Sequence, residues 1–265
     1  MGAGGSYASI KDKYHTFEEL TGALRAAGLE SSQLVVGIDM SASNSWTGKK
    51  SYGRSLHDWT PGSTPYEDAI TLVGPILENF DEDNIIPAFR FGDSFTTDQS
   101  VMPLSPSGVA DCNGVAGVIQ AYREAVVSVK MSGPTTMAPM IDQAIALCQQ
   151  TNEYHILIIL TDGDISSKQR DAAAVLRARD YPLSIIAMGL GDGPFDVLEH
   201  FDDHLKKKGS GKDWDNFQFV PFTHLQQTVF NKCERPDLTL ATAVLQEVPE
   251  QFKTIKRFGL LDRGH

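Results

Sequence analysis

Short runs of apolar residues alternate along the chain with longer segments whose apolar positions recur every three or four residues. The runs are typical of strands buried on both faces of a parallel sheet, and the recurring positions are typical of amphipathic helices. The predicted strands are residues 34–39, 85–91, 154–161, 182–188 and 217–220. The predicted helices are residues 16–27, 65–80, 115–127, 137–149, 168–179, 222–230 and 238–245. This alternation predicts an α/β fold with a doubly wound, mostly parallel sheet and helices on both faces.

The chain shows no internal repeat and no linker that would divide it, so we expect a single domain. Its 265 residues suffice for one large α/β domain with a substantial core. We place this domain at residues 14–250, between a flexible N-terminus at 1–13 and a C-terminal tail at 251–265. A polar, glycine-rich stretch at residues 44–63 is too long for a simple connection and predicts a loop with a role of its own.

Composition narrows the possible partners. The formal net charge of −11 argues against nucleic acid, because phosphate contacts require clustered Lys and Arg. The three cysteines, Cys112, Cys148 and Cys233, are odd in number and lack metal-type spacing. The longest apolar run, residues 156–160, is far too short to cross a bilayer. Without a secretory signal, the chain is expected to be cytoplasmic.

The first residues offer a possible membrane attachment. Residues 1–6 fit the M-G-x-x-x-[ST] pattern, in which Gly2 is N-myristoylated after methionine removal. A flexible, glycine-rich terminus is an equally good interpretation of the same residues. A single myristoyl chain gives only weak, reversible attachment, so peripheral membrane association stays an open alternative to a purely cytoplasmic location.

Candidate chemistry gathers at the ends of the predicted strands. The strand at 34–39 runs directly into Asp39-x-Ser41-x-Ser43, and Asp162 follows the strand at 154–161. Thr135 lies in a loop before a helix and brings another hydroxyl toward the same sheet edge. Hydroxyls and carboxylates are the hard oxygen ligands that suit Mg²⁺, Mn²⁺ or Ca²⁺ rather than zinc. These five residues therefore predict a divalent-metal site.

Other interpretations of these residues remain open. Asp39 and Asp162 could cap the helices that follow them, with Ser41 and Ser43 as turn formers. Asp162 could instead act as the nucleophile of a Mg²⁺-dependent phosphotransferase. We find no supported catalytic triad, so we expect no catalytic residue, no organic cofactor and no enzyme activity.

The order of the five residues resembles the metal-ion-dependent adhesion site of von Willebrand factor A domains. Several further segments are similar to the copine branch of that fold; they are residues 39–44, 65–70, 91–93, 133–135, 191–194 and 215–219. Residues 14–37 and 44–57 resemble most closely the copine domains of plant RING-type ubiquitin ligases. The resemblance covers roughly residues 14–250, and its motifs occur in family order.

The resemblance implies a function in binding. Ser41, Ser43 and Thr135 would supply hydroxyl ligands to Mg²⁺, with Mn²⁺ or Ca²⁺ as alternatives, and Asp39 and Asp162 would act directly or through water. One open position on the ion would then accept a carboxylate from a partner protein in intracellular signalling or scaffolding. The residues before 34 leave no room for the C2 domains of copines, and no cysteines follow Cys233 to build a RING. We therefore expect a metal-dependent protein-binding module, with the substrate-recognition part of a ubiquitin-ligase assembly as an alternative. The oligomeric state stays open.

Overall fold

The computed structural model describes residues 14–30, 32–60, 62–78, 83–205 and 213–261. Gly2 and its predicted lipidation motif lie outside these ranges. Within them, the strands are β1 (Gln33–Asp39), β2 (Ile85–Phe91), β3 (Met102–Pro103), β4 (Asp111–Asn113), β5 (His155–Thr161), β6 (Leu183–Gly189) and β7 (Phe217–Val220). The helices are α1 (Phe17–Ala26), α2 (Pro65–Glu78), α3 (Gly114–Ser128), α4 (Ala138–Thr151), α5 (Lys168–Ala178), α6 (Asp196–His204), α7 (Phe222–Thr228), α8 (Pro236–Leu245) and α9 (Val248–Arg257).

The strands form one sheet in the order β3-β2-β1-β5-β6-β7, with β4 paired to β2 as well. Strands β2, β1, β5, β6 and β7 run parallel, and only the short β3 and β4 pair in the antiparallel sense. The predicted fold class, a doubly wound, mostly parallel α/β sheet with helices on both faces, is confirmed. Among the described residues, no helix has both the length and the apolar character needed to cross a membrane.

Side chains of successive strand residues point to opposite faces of the sheet. Helices pack against both faces, so both are buried. Leu34, Val36 and Ile38 of β1 pack into a core formed with α1, α2, α3, α8 and α9. Val35 points the other way, into a second core formed with α4, α5 and α6. Every residue of β5 and β6 is buried. This two-sided burial explains why these strands are continuous apolar runs in the sequence.

The order of the strands creates a crevice at the carboxyl ends of β1 and β5. After β1 the chain passes through α2 to β2 on one side, and later returns to pair β5 on the other side of β1. The connections leaving β1 and β5 therefore diverge, which opens a cleft at the point where open α/β sheets bind ligands. The register pairs Ile38 with Leu160, so Asp39 and Asp162 follow at neighbouring strand ends.

Two helices and two short strands were absent from the predicted elements. Helix α6 has nine residues and buries only Leu198 and Phe201, so few apolar positions mark it in the sequence. Helix α9 runs across residue 250, the expected end of the domain, and it packs Phe252 and Ile255 into the core. Strands β3 and β4 span two and three residues, too few to show a period in the sequence. The domain limits at 14 and 250 stay predictions.

Asp202 on α6 generates a prediction about stability and pH. Burial, assisted by the charges of Glu247, Asp215 and Asp203, raises its pKa from 3.8 to about 8. The folded state thus holds a proton that the unfolded state releases, so this group lowers stability progressively as pH rises through that window. We expect Asp202→Asn to increase the free energy of unfolding at pH 8 by about 1–2 kcal/mol, and by much less at pH 5.

Urea denaturation at both pH values measures this difference. A comparison variant is Asp203→Asn, which removes an exposed neighbouring carboxylate that contributes least to the raised pKa of Asp202, so its effect at pH 8 should be clearly smaller. Equal stability of wild type and Asp202→Asn at pH 8 would contradict the account of this carboxylate.

Candidate metal centre

Asp39 and Asp162 form the buried base of the candidate site, and neither side chain is exposed to solvent. Asp39 Oδ1 accepts a hydrogen bond from the Ser41 amide at 2.9 Å, and its Oδ2 accepts one from Thr161 Oγ1 at 2.7 Å. Asp162 Oδ2 accepts a hydrogen bond from Thr47 Oγ1 at 2.9 Å, and its Oδ1 accepts one from the Asp164 amide at 3.1 Å. These bonds fix both carboxylates in orientation at the crevice.

Ser41 and Ser43 stand above the two carboxylates at the start of a 3₁₀ turn, Ala42–Ser45. Their hydroxyl oxygens are 2.9 Å apart. Ser43 also hydrogen-bonds the Asp162 side chain. The sequence Asp-x-Ser-x-Ser therefore folds so that its three side chains reach one spot, because the extended backbone of β1 turns sharply after Met40.

Thr135 reaches the same spot from a different part of the chain. The Ala42 amide donates to the Ser132 carbonyl at 2.6 Å, which holds the 130–136 loop against the end of β1. Thr135 is buried, and its Oγ1 has no hydrogen-bond partner among the residues that the structure describes. A Cβ built on Gly92 would overlap this hydroxyl and lie 3.2 Å from Asp39 Oδ1. Thr135, Asp39 and Ser41 thus converge around the bare backbone of Gly92.

Contacts from α5 and the segment before it hold Thr135 in place. The Ser166 amide and Ser166 Oγ both donate to the Thr135 carbonyl, at 2.8 and 2.5 Å. Asp171, on α5 and fully buried, accepts hydrogen bonds from Thr136 Oγ1 and from the Ala138 amide at 2.8 Å. It thereby caps the N-terminus of α4, a position that favours a negative charge. The free hydroxyl of Thr135 is consequently presented by an anchored loop.

The electrostatics of the site favour a cation. Burial and, after it, the nearby charge of Asp162 raise the pKa of Asp39 from 3.8 to about 7. Burial also raises the pKa of Asp162. Among the ion pairs of the described residues, none involves either carboxylate. Two buried carboxylates without a cationic side chain are costly, and a divalent ion would offset that cost.

A layer of buried polar side chains supports the site from below, and sequence reasoning missed all of it. Asn44 Nδ2 donates to the Ser41 carbonyl at 3.1 Å, while Asn44 Oδ1 accepts from Tyr66 Oη at 2.8 Å. Burial lowers the pKa of His57 to about 4, so the ring is neutral. It donates from Nε2 to the Asp39 carbonyl at 3.1 Å and accepts at Nδ1 from Tyr122 Oη at 2.7 Å. Asn44 adjoins the Asp-x-Ser-x-Ser motif, but nothing in the sequence signals the contribution of His57.

The hydroxyl side of the site opens to solvent as a groove of about 470 Å³. Ser41, Ser43 and Thr135 line it, together with Trp46 and Asp164. Trp46 is 53% exposed, which is unusual for so large an apolar side chain. Asp39 and Asp162 lie beneath the floor, outside the lining. A partner group entering the groove would meet the hydroxyls first.

The residues fit a hard divalent cation. Three hydroxyls and two carboxylates form an all-oxygen donor set, and one buried hydroxyl has no other partner. In the part of the chain that the structure describes, no group of three or more His, Cys, Asp or Glu side chains could hold a metal. A site here would therefore depend on hydroxyls. The phosphotransferase alternative is disfavoured, because both oxygens of Asp162 are already hydrogen-bonded and buried.

Comparison with known proteins identifies relatives along nearly the whole chain. The Copine family model matches residues 55–264. The E3 ubiquitin-protein ligase RGLG5 of Arabidopsis thaliana is 40% identical over 98% of this chain and 62% of its own length. Copine family protein 1 of Caenorhabditis elegans is 40% identical over 94% of this chain and 22% of its own length. The chain thus spans less than two thirds of these relatives.

Among solved structures, a manganese-loaded TRAP protein of Plasmodium vivax is similar, with a TM-score of 0.45 and 12% identity. The likeness covers 74% of this chain and 70% of that one, and at this score it carries no argument about the site. The expectation that the chain is not an enzyme is contradicted, because relatives matching nearly all of it are named E3 ubiquitin-protein ligases. That expectation rested on the lack of a recognisable catalytic triad and of RING cysteines in this sequence.

Gly92 gives a test of how tightly the site is packed. Gly92 and Gly53 both have left-handed backbones, with φ of +79° and +71°, but only Gly92 has neighbours where a Cβ would lie. We expect Gly53→Ala to cost about 1 kcal/mol of stability from backbone strain alone. Gly92→Ala should cost roughly 2 kcal/mol more, because its methyl group displaces Thr135. Urea denaturation in chelator measures both, and equal costs would show that the residues around Gly92 are loosely packed.

Proposed function

The chain belongs to the copine family, and from this premise we propose that it is a divalent-metal-dependent protein-binding module. The observation that carries the proposal is the Thr135 hydroxyl. It is buried and has no hydrogen-bond partner, although it faces Asp39 and Ser41 across Gly92. Buried hydroxyls are nearly always hydrogen-bonded. Thr242 Oγ1 on α8 is also without a partner among the described residues, but only the Thr135 hydroxyl lies beside Asp39 and Ser41, where a cation would supply the missing interaction.

The proposed ligand is Mg²⁺, with Mn²⁺ or Ca²⁺ as alternatives. Ser41, Ser43 and Thr135 would hold the ion through their hydroxyls, and Asp39 and Asp162 would contribute charge directly or through water. When bound, the ion supplies an electrophilic position that can accept a carboxylate from a partner. Because the groove-lining ligands are neutral, they leave that affinity for an anion largely intact.

The proposed partner is a protein that brings an acidic side chain into the groove. Trp46 stands exposed at the groove and would provide apolar contact area around the carboxylate. Such aromatic side chains dominate the energy of many protein interfaces. The chain's own net charge of −11 would repel an acidic partner in general, so the ion would decide where that partner can dock.

The relatives favour a second, compatible function. Five of them are named E3 ubiquitin-protein ligases, and this chain aligns with 54–69% of their lengths. We propose that the domain selects the protein that a ligase of this kind modifies. In that setting the groove would recognise the substrate and the remainder of a ligase would carry out the transfer.

Metal titration tests the ligand assignment. We expect Mn²⁺ or Mg²⁺ at 100 times its Kd to stabilise the wild-type protein by about 2.7 kcal/mol. The double variant Ser41→Ala/Ser43→Ala should lose nearly all of this stabilisation, because it removes two of the three hydroxyl ligands. Isothermal calorimetry and metal-dependent urea denaturation measure the two effects.

A matched control exists in the loop between β3 and β4. Ser105 and Ser107 have the same spacing as Ser41 and Ser43, and their hydroxyl oxygens are also 2.9 Å apart, but at the surface. Ser105→Ala/Ser107→Ala should bind metal like the wild type. Metal affinity unchanged in Ser41→Ala/Ser43→Ala would refute the proposed ligands.

A chimera tests the role in ubiquitination. When this chain replaces the matched part of RGLG1, we expect the chimera to ubiquitinate proteins that this chain retains in Mn²⁺ and releases in chelator. The same chimera with Ser41→Ala/Ser43→Ala should no longer modify those proteins, yet should ubiquitinate itself as before. If the chimera with Ser41→Ala/Ser43→Ala still ubiquitinated the retained proteins at the original level, the groove would have no role in substrate selection.

A further inference from the structure

A second cleft lies beside the metal-site groove and has no part in metal binding. Its volume is about 220 Å³, and its apolar lining consists of Met40, Val126, Val129 and Met131. Ser55 and Asp58 add polar atoms to the lining. Met131 lines both this cleft and the groove, so the two cavities are neighbours on one face of the protein. We call this second cavity the apolar cleft.

The interior of the apolar cleft offers little to a polar occupant. Met40 is 1% exposed and follows Asp39 directly in the chain. His57 also lines the cleft, but both of its ring nitrogens are engaged, by the Asp39 carbonyl and by Tyr122 Oη. The ring can therefore contribute only its carbon surface. An aliphatic group would fit the carbon surface of this lining, whereas an acidic group inside it would be desolvated and repelled by Asp58.

The size of the apolar cleft points to one side chain. Pockets for small molecules usually measure about 300–1,000 Å³, and this cleft is smaller. Energetically dominant contacts in protein interfaces are commonly single anchors in such pockets. Phe95 is 76% exposed beside the 130–136 loop that separates the two cavities. A further exposed apolar side chain thus lies near both of them.

The two cavities are also held in a constant relation. At the groove, the Ser132 carbonyl accepts a hydrogen bond from the Ala42 amide. On the other side, the Lys130 carbonyl accepts one from the Ser94 amide at 3.0 Å. Met131 is bridged to Asp93 between these two bonds. The loop between the two cavities is therefore held by hydrogen bonds on both sides. The distance between the cavities is consequently fixed for a ligand that occupies both.

We propose that a single segment of the partner fills both cavities, with an Asp or Glu in the groove and an aliphatic side chain in the apolar cleft. This inference rests on the proposed function, and it adds the chemistry of the partner. Asp58 and Asp164 line the two cavities, so the attraction of an acidic residue would come from the bound ion and from exposed Lys130, adjacent to Met131. The recognised motif is thus an acidic residue and a Leu, Ile or Met at one constant separation in sequence.

A phage-displayed library of random peptides, bound in Mn²⁺ and eluted with chelator, tests the proposal. Peptides selected by the wild-type protein should share an acidic residue and an aliphatic residue at one spacing. Val129→Arg should select acidic peptides without the aliphatic preference, because the new side chain fills and charges the apolar cleft. Val127→Arg, a neighbouring change outside the lining, should preserve the full motif.

A synthetic pair of peptides keeps the test independent of protein folding. Replacing the aliphatic residue of a selected peptide by Ala should weaken its binding to the wild-type protein about 10- to 100-fold. Equal affinity of the two peptides, or chelator-sensitive acidic peptides with no aliphatic preference, would overturn this inference and leave the proposed function standing. If the wild-type protein selects no chelator-sensitive peptide, both fall together.

Discussion

The structure depends on the placement of two buried carboxylates, Asp39 and Asp162, side by side where the sheet reverses its strand order. Each is oriented by backbone amides and threonine hydroxyls, and neither has an ion-pair partner in the described residues. Carboxylates in this position are costly unless their charge is offset. A cation would offset this charge. The absence of a side chain at Gly92 leaves space for it, and oxygen donors come from Ser41, Ser43 and Thr135, whose hydroxyl has no hydrogen-bond partner among the described residues.

The fold supplies the rigidity that such a site requires. Strands β1 and β5 are buried on both faces, so the carboxylates extend from the most restrained part of the molecule. Asn44 and His57 tie the backbone at the end of β1 to α2 and α3 through Tyr66 and Tyr122. Those hydrogen bonds restrain the loops from which the site is built. A groove formed on these supports is preorganised, so the partner binding that we propose would carry little conformational cost.

Much of this arrangement was predictable from the sequence, and the limits have physical reasons. Buried parallel strands and the Asp39-x-Ser41-x-Ser43 motif are local patterns, so the sheet and the family could be recognised directly. Helices α6 and α9 were missed because most of their residues are polar and only tertiary packing buries the rest. His57 was missed because its partners lie 18 and 65 residues away. The expectation about enzyme activity was wrong because it considered only the catalytic triad and the RING cysteines that were not found in this sequence.

The most direct measurement of the central claim is a crystal structure of the protein grown with Mn²⁺, with anomalous diffraction recorded above the manganese edge. The account predicts one strong anomalous peak that is coordinated by Oγ of Ser41 and Ser43 and by Oγ1 of Thr135, about 2.0–2.3 Å from each oxygen. A peak at another place on the protein, or none there at saturating Mn²⁺ with Thr135 Oγ1 bonded to the protein instead, would contradict it.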